Sequence, residues 1–287
     1  MYISPGNPAE MMLSAGGVPL TEEVVQQKKI EMGLDKPFLT QYAKWIKGFV
    51  KGDLGESLIY HESVNQLIIS RLPATIYLAV VSLVVSLLIA IPIGIFCAVN
   101  NGKLSEKIIK ILTLIGPSSP SFFIALLLMY FICLKLNLLP VIDSSRTKII
   151  LPAITIIIGI ASKFVRQIRV IVLEELNKEY VLGLRSRGVN KYEVLFKHVL
   201  KNCALPIVTL IGLSLGSLMG GTTIVESVFM WQGVGKFAVD SIYRRDYPVV
   251  QGYVVWMALI FLIINYMTDL LYKKLDPRIK SEGVIEN

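Results

Sequence analysis

Apolar runs long enough to cross a bilayer recur along the chain. Positions 72–102, 203–225 and 249–268 contain no charged residue, and a helix needs about 20 apolar residues to cross the hydrocarbon. Two further apolar stretches extend from about 121 to 139 and from about 149 onward. The pattern predicts an all-α integral membrane protein with five visible spans.

Prolines and charges set the expected limits of these spans. The first should begin at Pro73, because proline is tolerated in the first turn of a helix. The prolines of 117–120 should break the chain before the second span. The span from about 149 should be cut short by Lys163 and Arg166, which must snorkel to the interface or line a cavity within the protein.

Basic residues distinguish the two sides of the membrane. Lysines and arginines cluster between 163 and 201 and again after 272, and the positive-inside rule places both stretches in the cytoplasm. The near-neutral segment 1–72 is predicted to lie outside. A single helix cannot easily carry so long a preceding segment across the membrane. A further N-terminal helix is therefore expected, which gives six spans in the complete subunit.

Composition argues against a soluble domain, a nucleic-acid-binding protein, a disulfide framework and a histidine metal site. Of 287 residues, 54% are hydrophobic, and the mean hydropathy is +0.62, so apolar side chains must meet lipid as well as each other. The net charge of +8 is then explained by membrane orientation and not by nucleic acid. Cys97, Cys133 and Cys203 fall within or beside apolar runs and are predicted to be buried thiols. His61 and His198 are too far apart in sequence to suggest a metal cage.

The polar stretch 174–202 is the most informative part of the sequence. It is typical of two short helices around Gly188-Val189-Asn190, because glycine tolerates the positive φ of a sharp turn. The decapeptide EYVLGLRSRG at 179–188, followed by HVLKN at 198–202 and by Leu205-Pro206, resembles the cytoplasmic loop of importer-type ABC permeases. The variant is that of the oligopeptide, dipeptide and nickel branch.

This resemblance implies a mechanical role for the stretch. In the family, the short helix docks in a cleft of the ATPase subunit, and closure of the ATPase dimer on ATP moves the membrane helices between inward-open and outward-open states. The residues that the resemblance assigns to coupling are Glu179, Tyr180, Leu184, Arg185, Ser186, Arg187, Gly188, His198 and Asn202. Leu184 replaces the branch's usual small residue, so the docking face should differ in detail. From the residues alone, a basic amphipathic helix lying on anionic lipid is the alternative.

A second resemblance covers 225–252, which is similar to the outer loop before the final span in the same branch. It implies a re-entrant or capping element at the outer gate, against which the substrate-binding protein sits. The residues it assigns are Glu226, Phe229, Trp231, Gly233, Gly235, Asp246, Tyr247 and Pro248. A loop held by aromatic packing of Phe229 and Trp231 is an equal alternative. Shorter matches at 5–9, 33–37, 52–55, 71–75, 269–271 and 275–278 extend the resemblance over nearly the whole chain.

Three glycines in the second-last span are spaced by four residues. Gly212, Gly216 and Gly220 therefore share one helix face, which lets another backbone approach closely. The face suits either static helix packing or sliding along a transport pathway. In both cases it is expected to contact protein and not lipid.

Rival functions find less support in the residues. The segment Gly233–Phe237 is not a phosphate loop, since Met230 replaces the first required glycine and Phe237 the Ser/Thr. An ion-driven secondary transporter would need intramembrane carboxylates, which are scarce in the spans. A membrane-embedded enzyme would need a nucleophile, base or metal cluster, and none is evident.

We therefore interpret the chain as a multi-pass permease subunit of an ATP-driven importer in a bacterial or archaeal cell membrane. Its expected divisions are an extracytoplasmic segment 1–72, a transmembrane domain 73–272 with the coupling region 174–202, and a cytoplasmic tail 273–287. The resemblance implies a second homologous permease, two ATPase subunits that bind ATP and Mg, and a substrate-binding protein. This chain itself is expected to bind no cofactor. Peptides, nickel, nickel chelates and glutathione remain open as substrates.

Overall fold

A computed structural model describes residues 7–15, 17, 19–140 and 146–275. Pro5 and Gly6 of the family match at 5–9, positions 141–145 and the tail beyond Leu275 lie outside these residues. Within the described ranges the regular secondary structure is helical, apart from one isolated β-bridge between Glu56 and Ser63. This confirms the predicted all-α class.

The described residues form twelve α-helices joined mostly by short turns. They are α1 Pro8–Ala15, α2 Glu22–Met32, α3 Phe38–Val50, α4 Val64–Val99, α5 Leu104–Ser118, α6 Ser121–Leu128, α7 Ile150–Leu176, α8 Glu179–Ser186, α9 Lys191–Glu193, α10 Leu200–Val228, α11 Val234–Tyr243 and α12 Tyr247–Leu275. A π-helical segment, Met129–Lys135, extends α6, and another, Val194–Val199, joins α9 to α10.

Four helical segments in the described chain are long and apolar enough to cross a membrane. They are Val64–Val99, Thr147–Leu176, Lys191–Val228 and Tyr247–Lys274. A fifth span is obtained if Leu104–Ser118 and Ser121–Lys135 count together, although they are bent by 102° at the break between them. The predicted break at 117–120 is confirmed, and five spans are reached only with this bent pair.

The predicted start of the first span at Pro73 is wrong. Helix α4 begins at Val64, so Pro73 lies inside it. The early turns of α4 are buried because Val64, Leu67 and Ile68 pack against Val234, Phe237 and Val249. Burial of these side chains offsets the backbone hydrogen bond that proline removes.

The predicted shortening of the span from 149 is also wrong. Helix α7 continues past Lys163 and Arg166 to Leu176. Both cations line cavities between helices, where a charged head need not meet hydrocarbon. The prediction that they could line a protein cavity is thereby confirmed.

Two compact units divide the chain: 1–74 with 232–258, and 75–231 with 259–287. In the second unit α7 is central, since α5, α6 and α10 all pack against it. Gly94 and Gly116 permit close approach to α7, because a Cβ at either would meet α7 atoms within 3.0 Å. Cys97, Cys133 and Cys203 are free and buried, as predicted.

Candidate functional site

The segment 174–202, which we call the elbow, links the end of α7 to the start of the long helix that contains α10. Helix α8 ends at Ser186, and the chain then reverses through Gly188, whose φ is +78°. The amide of Gly188 donates to the carbonyl of Arg185 at 3.0 Å, and that of Val189 donates to Leu184 at 3.2 Å. The side chain of Asn190 caps the next helix by accepting from the Tyr192 amide at 3.0 Å. The predicted sharp glycine turn is confirmed.

A buried carboxylate fastens the elbow to both neighbouring spans. Glu175, in the last turn of α7, is 6% exposed. It accepts hydrogen bonds from the hydroxyl of Tyr180 on α8 at 2.7 Å and from Nδ2 of Asn202 on α10 at 2.9 Å. Lys178 Nζ lies 2.6 Å from its other oxygen. Glu175 thus connects its own helix, α7, to α8 through Tyr180 and to α10 through Asn202.

The hydroxyl of Tyr180 remains a hydrogen-bond donor over the whole physiological range. Burial, and next the hydrogen bond to Glu175, raise the pKa of Tyr180 to about 12. Both effects disfavour the phenolate, which would place a second negative charge beside the carboxylate. We call the hydrogen bonds from Tyr180 and Asn202 to Glu175 the Glu175 joint. Their direction is fixed, because tyrosine and asparagine donate and glutamate accepts.

The solvent-exposed surface of the elbow combines cations with apolar side chains. Of the predicted coupling residues, the exposed ones are Glu179, Arg185, Ser186, Arg187, Gly188 and Asn202. Leu184 and His198 are half-buried, and Tyr180 forms the joint. Sequence reasoning missed Glu175, and it also missed the exposed Leu182, Tyr192 and Phe196. Large apolar side chains in a polar stretch were the available signal for a contact surface.

An ion pair between α5 and α7 was also missed. Arg169 Nε donates to Glu106 Oε1 at 2.7 Å, and its Nη2 donates to Oδ1 of Asn101 at 2.9 Å. The other oxygen of Glu106 accepts from the amide of Gly102 at 2.8 Å. This pair fixes the start of α5 to α7, the helix that leads into the elbow.

The residues predicted for an outer gate loop do not form one loop. Glu226 is fully buried within the last turn of α10, where the Thr75 hydroxyl donates to it at 2.7 Å, so its assignment to a loop is wrong. Phe229 is the residue that follows α10. Trp231 is buried, with Lys148 Nζ 5.3 Å from its ring centroid. Helix α10 extends beyond its apolar run because the carboxylate of Glu226 finds a hydrogen-bond partner within the protein.

The remaining predicted gate residues belong to the other compact unit. Gly233 precedes the ten-residue helix α11, which contains Gly235. Asp246 is fully buried and accepts hydrogen bonds from the Ser57 hydroxyl and the Leu58 amide. Tyr247 and Pro248 begin α12. This segment is a short folded helix between α10 and α12 in the sequence, and its role as a capping element stays a prediction.

Two of the three spaced glycines contact a neighbouring helix. A Cβ at Gly212 would overlap the Thr268 side chain, and one at Gly216 would lie 2.7 Å from the Phe261 ring. Gly220 is exposed, with nothing within 4 Å of the corresponding position. The expectation of a protein contact is right for Gly212 and Gly216, and at Gly220 it stays a prediction.

A cavity of about 280 Å³ lies among α5, α6, α7 and α10. Its polar lining consists of hydroxyls and one ammonium group, from Ser119, Ser121, Thr155, Ser214, Ser217 and Lys163. No carboxylate, imidazole or thiol lines it. In the described chain, no group of three or more metal-ligating side chains is arranged around a common point.

Nearly the whole chain matches two protein families. Residues 90–281 match the family described as binding-protein-dependent transport system inner membrane component, and residues 1–79 match the N-terminal region of such membrane components. Together the two matches cover nearly the whole chain, including the elbow.

Individual relatives and solved structures agree with that match. A Brucella ovis protein named as a peptide permease is 36% identical, with 98% of this chain and 91% of the relative covered. The nickel import system permease NikB of Staphylococcus aureus is 37% identical over 97% of this chain and 84% of its own length. The MetNI methionine ABC transporter, solved in inward-facing conformations, has a TM-score of 0.64 at 16% identity, over 74% of this chain and 97% of the solved chain.

Proposed function

Because the chain belongs to the family of binding-protein-dependent transport system inner membrane components, we propose that it forms one half of an ATP-driven import path beside a second homologous permease. The chain is a multi-pass inner-membrane permease of an ABC importer. In the proposed complex, two cytoplasmic ATPase subunits bind ATP and Mg, and an external binding protein delivers the substrate.

The observation that carries the proposal is the Glu175 joint of the elbow. A force applied to α8 reaches both α7 and α10, since Tyr180 and Asn202 hold the same buried carboxylate. Helix α7 is in turn packed against α5 and α6. Closure of the ATPase subunits on ATP would move α8, and these contacts would pass the movement to the helices that line the path.

The surface of the elbow supports a protein partner. Leu182, Tyr192 and Phe196 are more than half exposed, and Arg185 and Arg187 lie exposed beside them in the sequence. Apolar anchors with arginine are enriched at protein interfaces. We propose that they fill the cleft of an ATPase subunit.

The substrate class is proposed from the relatives and the cavity together. The named relatives are permeases for peptides and for nickel. The cavity offers hydroxyls and Lys163 but none of the ligands that bind a bare transition metal. This lining favours a carboxylate-bearing cargo, such as a short peptide or a nickel chelate.

Reconstitution tests the proposal against its main rival. Proteoliposomes that contain both permeases and both ATPase subunits should take up a labelled dipeptide or chelated nickel when the binding protein and ATP are added. The chain alone should transport neither substrate under a proton or sodium gradient. Gradient-driven uptake by the chain alone would instead identify a secondary transporter.

A further inference from the structure

Helix α3, Phe38–Val50, is apolar over about half of its circumference. Its aromatic residues Phe38, Tyr42, Trp45 and Phe49 recur with helical spacing and stack in sequence, with ring centroids 5.9, 6.3 and 5.5 Å apart. Leu39, Ile46 and Val50 each follow one of these rings by one residue, so they form a parallel row about 100° away. Together the two rows make one broad apolar face.

The rest of the described chain leaves this face largely exposed, although Phe38, Tyr42 and Trp45 also border a cavity. No residue of α3 is buried, and all seven of these large apolar side chains are at least 38% exposed. Exposed apolar surface on this scale marks an interaction site. A folded helix therefore presents its apolar side outward, to an environment beyond the described chain.

The polar side of α3 carries only positive charge. Lys44, Lys47 and the capping residue Lys51 lie three and four residues apart, on the side opposite the two apolar rows, and α3 contains no Asp or Glu. A basic polar face opposite a face of Trp, Phe and Leu is the pattern of helices that lie in the plane of a membrane interface. Tyrosine and tryptophan are themselves enriched at that depth.

The C-terminal end of α3 is attached to a membrane-spanning helix. Nδ2 of Asn65, in the first turn of α4, donates to the carbonyl of Gly52 at 2.6 Å, directly after α3. Asn65 also accepts a hydrogen bond from Nε1 of Trp256 on α12 at 3.0 Å. Position 65 precedes the apolar run at Leu72 by seven residues, which is about 10 Å of helix. The attachment holds α3 within reach of the lipid headgroups.

From this arrangement we infer that α3 is an interfacial helix, which inserts its aromatic and aliphatic face into the bilayer surface and directs its lysines to anionic headgroups. The helix would brace the segment that precedes α4 against the membrane. The inference does not depend on ATP coupling, because it rests on the composition and attachment of α3 alone.

Fluorescence quenching in nanodiscs tests the inference on the full chain. The lipid is an equal mixture of phosphatidylglycerol and phosphatidylcholine, with the latter brominated near the headgroup. Trp45 is compared with the Trp45→Phe variant, in which Trp231 and Trp256 remain, so the difference spectrum reports Trp45. We expect brominated lipid to quench most of that difference, and aqueous acrylamide to quench little of it.

Charge variants test the role of the lysines. Replacing Lys44, Lys47 and Lys51 together by Gln should lower the quenching of Trp45 in the mixed nanodiscs to the level found when the phosphatidylglycerol is replaced by unbrominated phosphatidylcholine. Two results would overturn the inference. Quenching of Trp45 by acrylamide but not by brominated lipid would place α3 in water, and resistance to both quenchers would show that Trp45 is buried against protein.

Discussion

The hydroxyl of Tyr180 lies 2.7 Å from the carboxylate of Glu175, to which it donates a hydrogen bond within the elbow. The same carboxylate oxygen accepts from Asn202, which lies 27 residues further along the chain than Glu175. Two spans and the short helix between them are therefore held at a single point. The proposed lever would transmit movement only as long as these hydrogen bonds stay formed.

Removing the hydroxyl at this point should uncouple transport. Tyr180→Phe deletes a hydrogen bond to a charged group, and the elbow should lose about 1.5–3 kcal/mol of stability. Uptake per ATP hydrolysed by the reconstituted complex should fall several-fold, while assembly persists. Tyr243→Phe is the matched control, since Tyr243 is 84% exposed. Equal coupling in both variants would remove the joint from the mechanism.

Alkaline pH should weaken the elbow through the same tyrosine. The pKa of Tyr180 is raised to about 12 in the folded protein, against an ordinary value of about 10. A raised folded-state pKa means that the stabilising contribution is complete below the ordinary value and is lost as the pH rises through about 12. The difference in thermal stability between the wild type and Tyr180→Phe should therefore shrink across this window. A difference that is constant with pH would contradict the assignment.

The glycine turn should tolerate no β-branched residue. Gly188 has a φ of +78°, and Val at this position would be strained by roughly 1–2 kcal/mol or would rotate the turn. Gly188→Val should hydrolyse ATP without proportionate uptake, although it still inserts into the membrane. Gly183→Ala, which has an ordinary helical backbone and no neighbour within 4 Å, should remain coupled. Normal uptake by Gly188→Val would count against the lever.

The spaced glycines should separate into two kinds. Ala at 212 or 216 would meet Thr268 or Phe261, and such overpacking costs about 1–3 kcal/mol. Gly220→Ala meets nothing within 4 Å and should be neutral, or stabilising by about 0.5–1 kcal/mol, through helix propensity. Thermal unfolding of the three variants in detergent measures the difference. Equal destabilisation at all three positions would contradict the packing.

Local sequence features predicted some of this architecture well. The break at 117–120 and the turn at Gly188 are confirmed, because proline and glycine restrict the backbone at their own positions. The burial of the three cysteines followed from the apolar runs around them. In each case the cause lies within a few residues of the effect.

Features that depend on distant partners could not be predicted in this way. Glu226 was assigned to a loop, but Thr75, 151 residues earlier, accommodates it inside a helix. The pairing of Glu106 with Arg169 joins positions 63 apart. Helix α3 was not predicted, because an exposed aromatic face has the same sequence pattern as a buried one.

We propose that the elbow is cytoplasmic and contacts the ATPase subunits. Ser186 is exposed at the end of α8, and the three native cysteines are buried. A Ser186→Cys variant should react with a membrane-impermeant maleimide in inside-out vesicles but not in right-side-out vesicles, and bound ATPase subunits should protect it. The parent chain controls for background labelling. Labelling in right-side-out vesicles, or an equal rate with and without the ATPase subunits, would contradict the account.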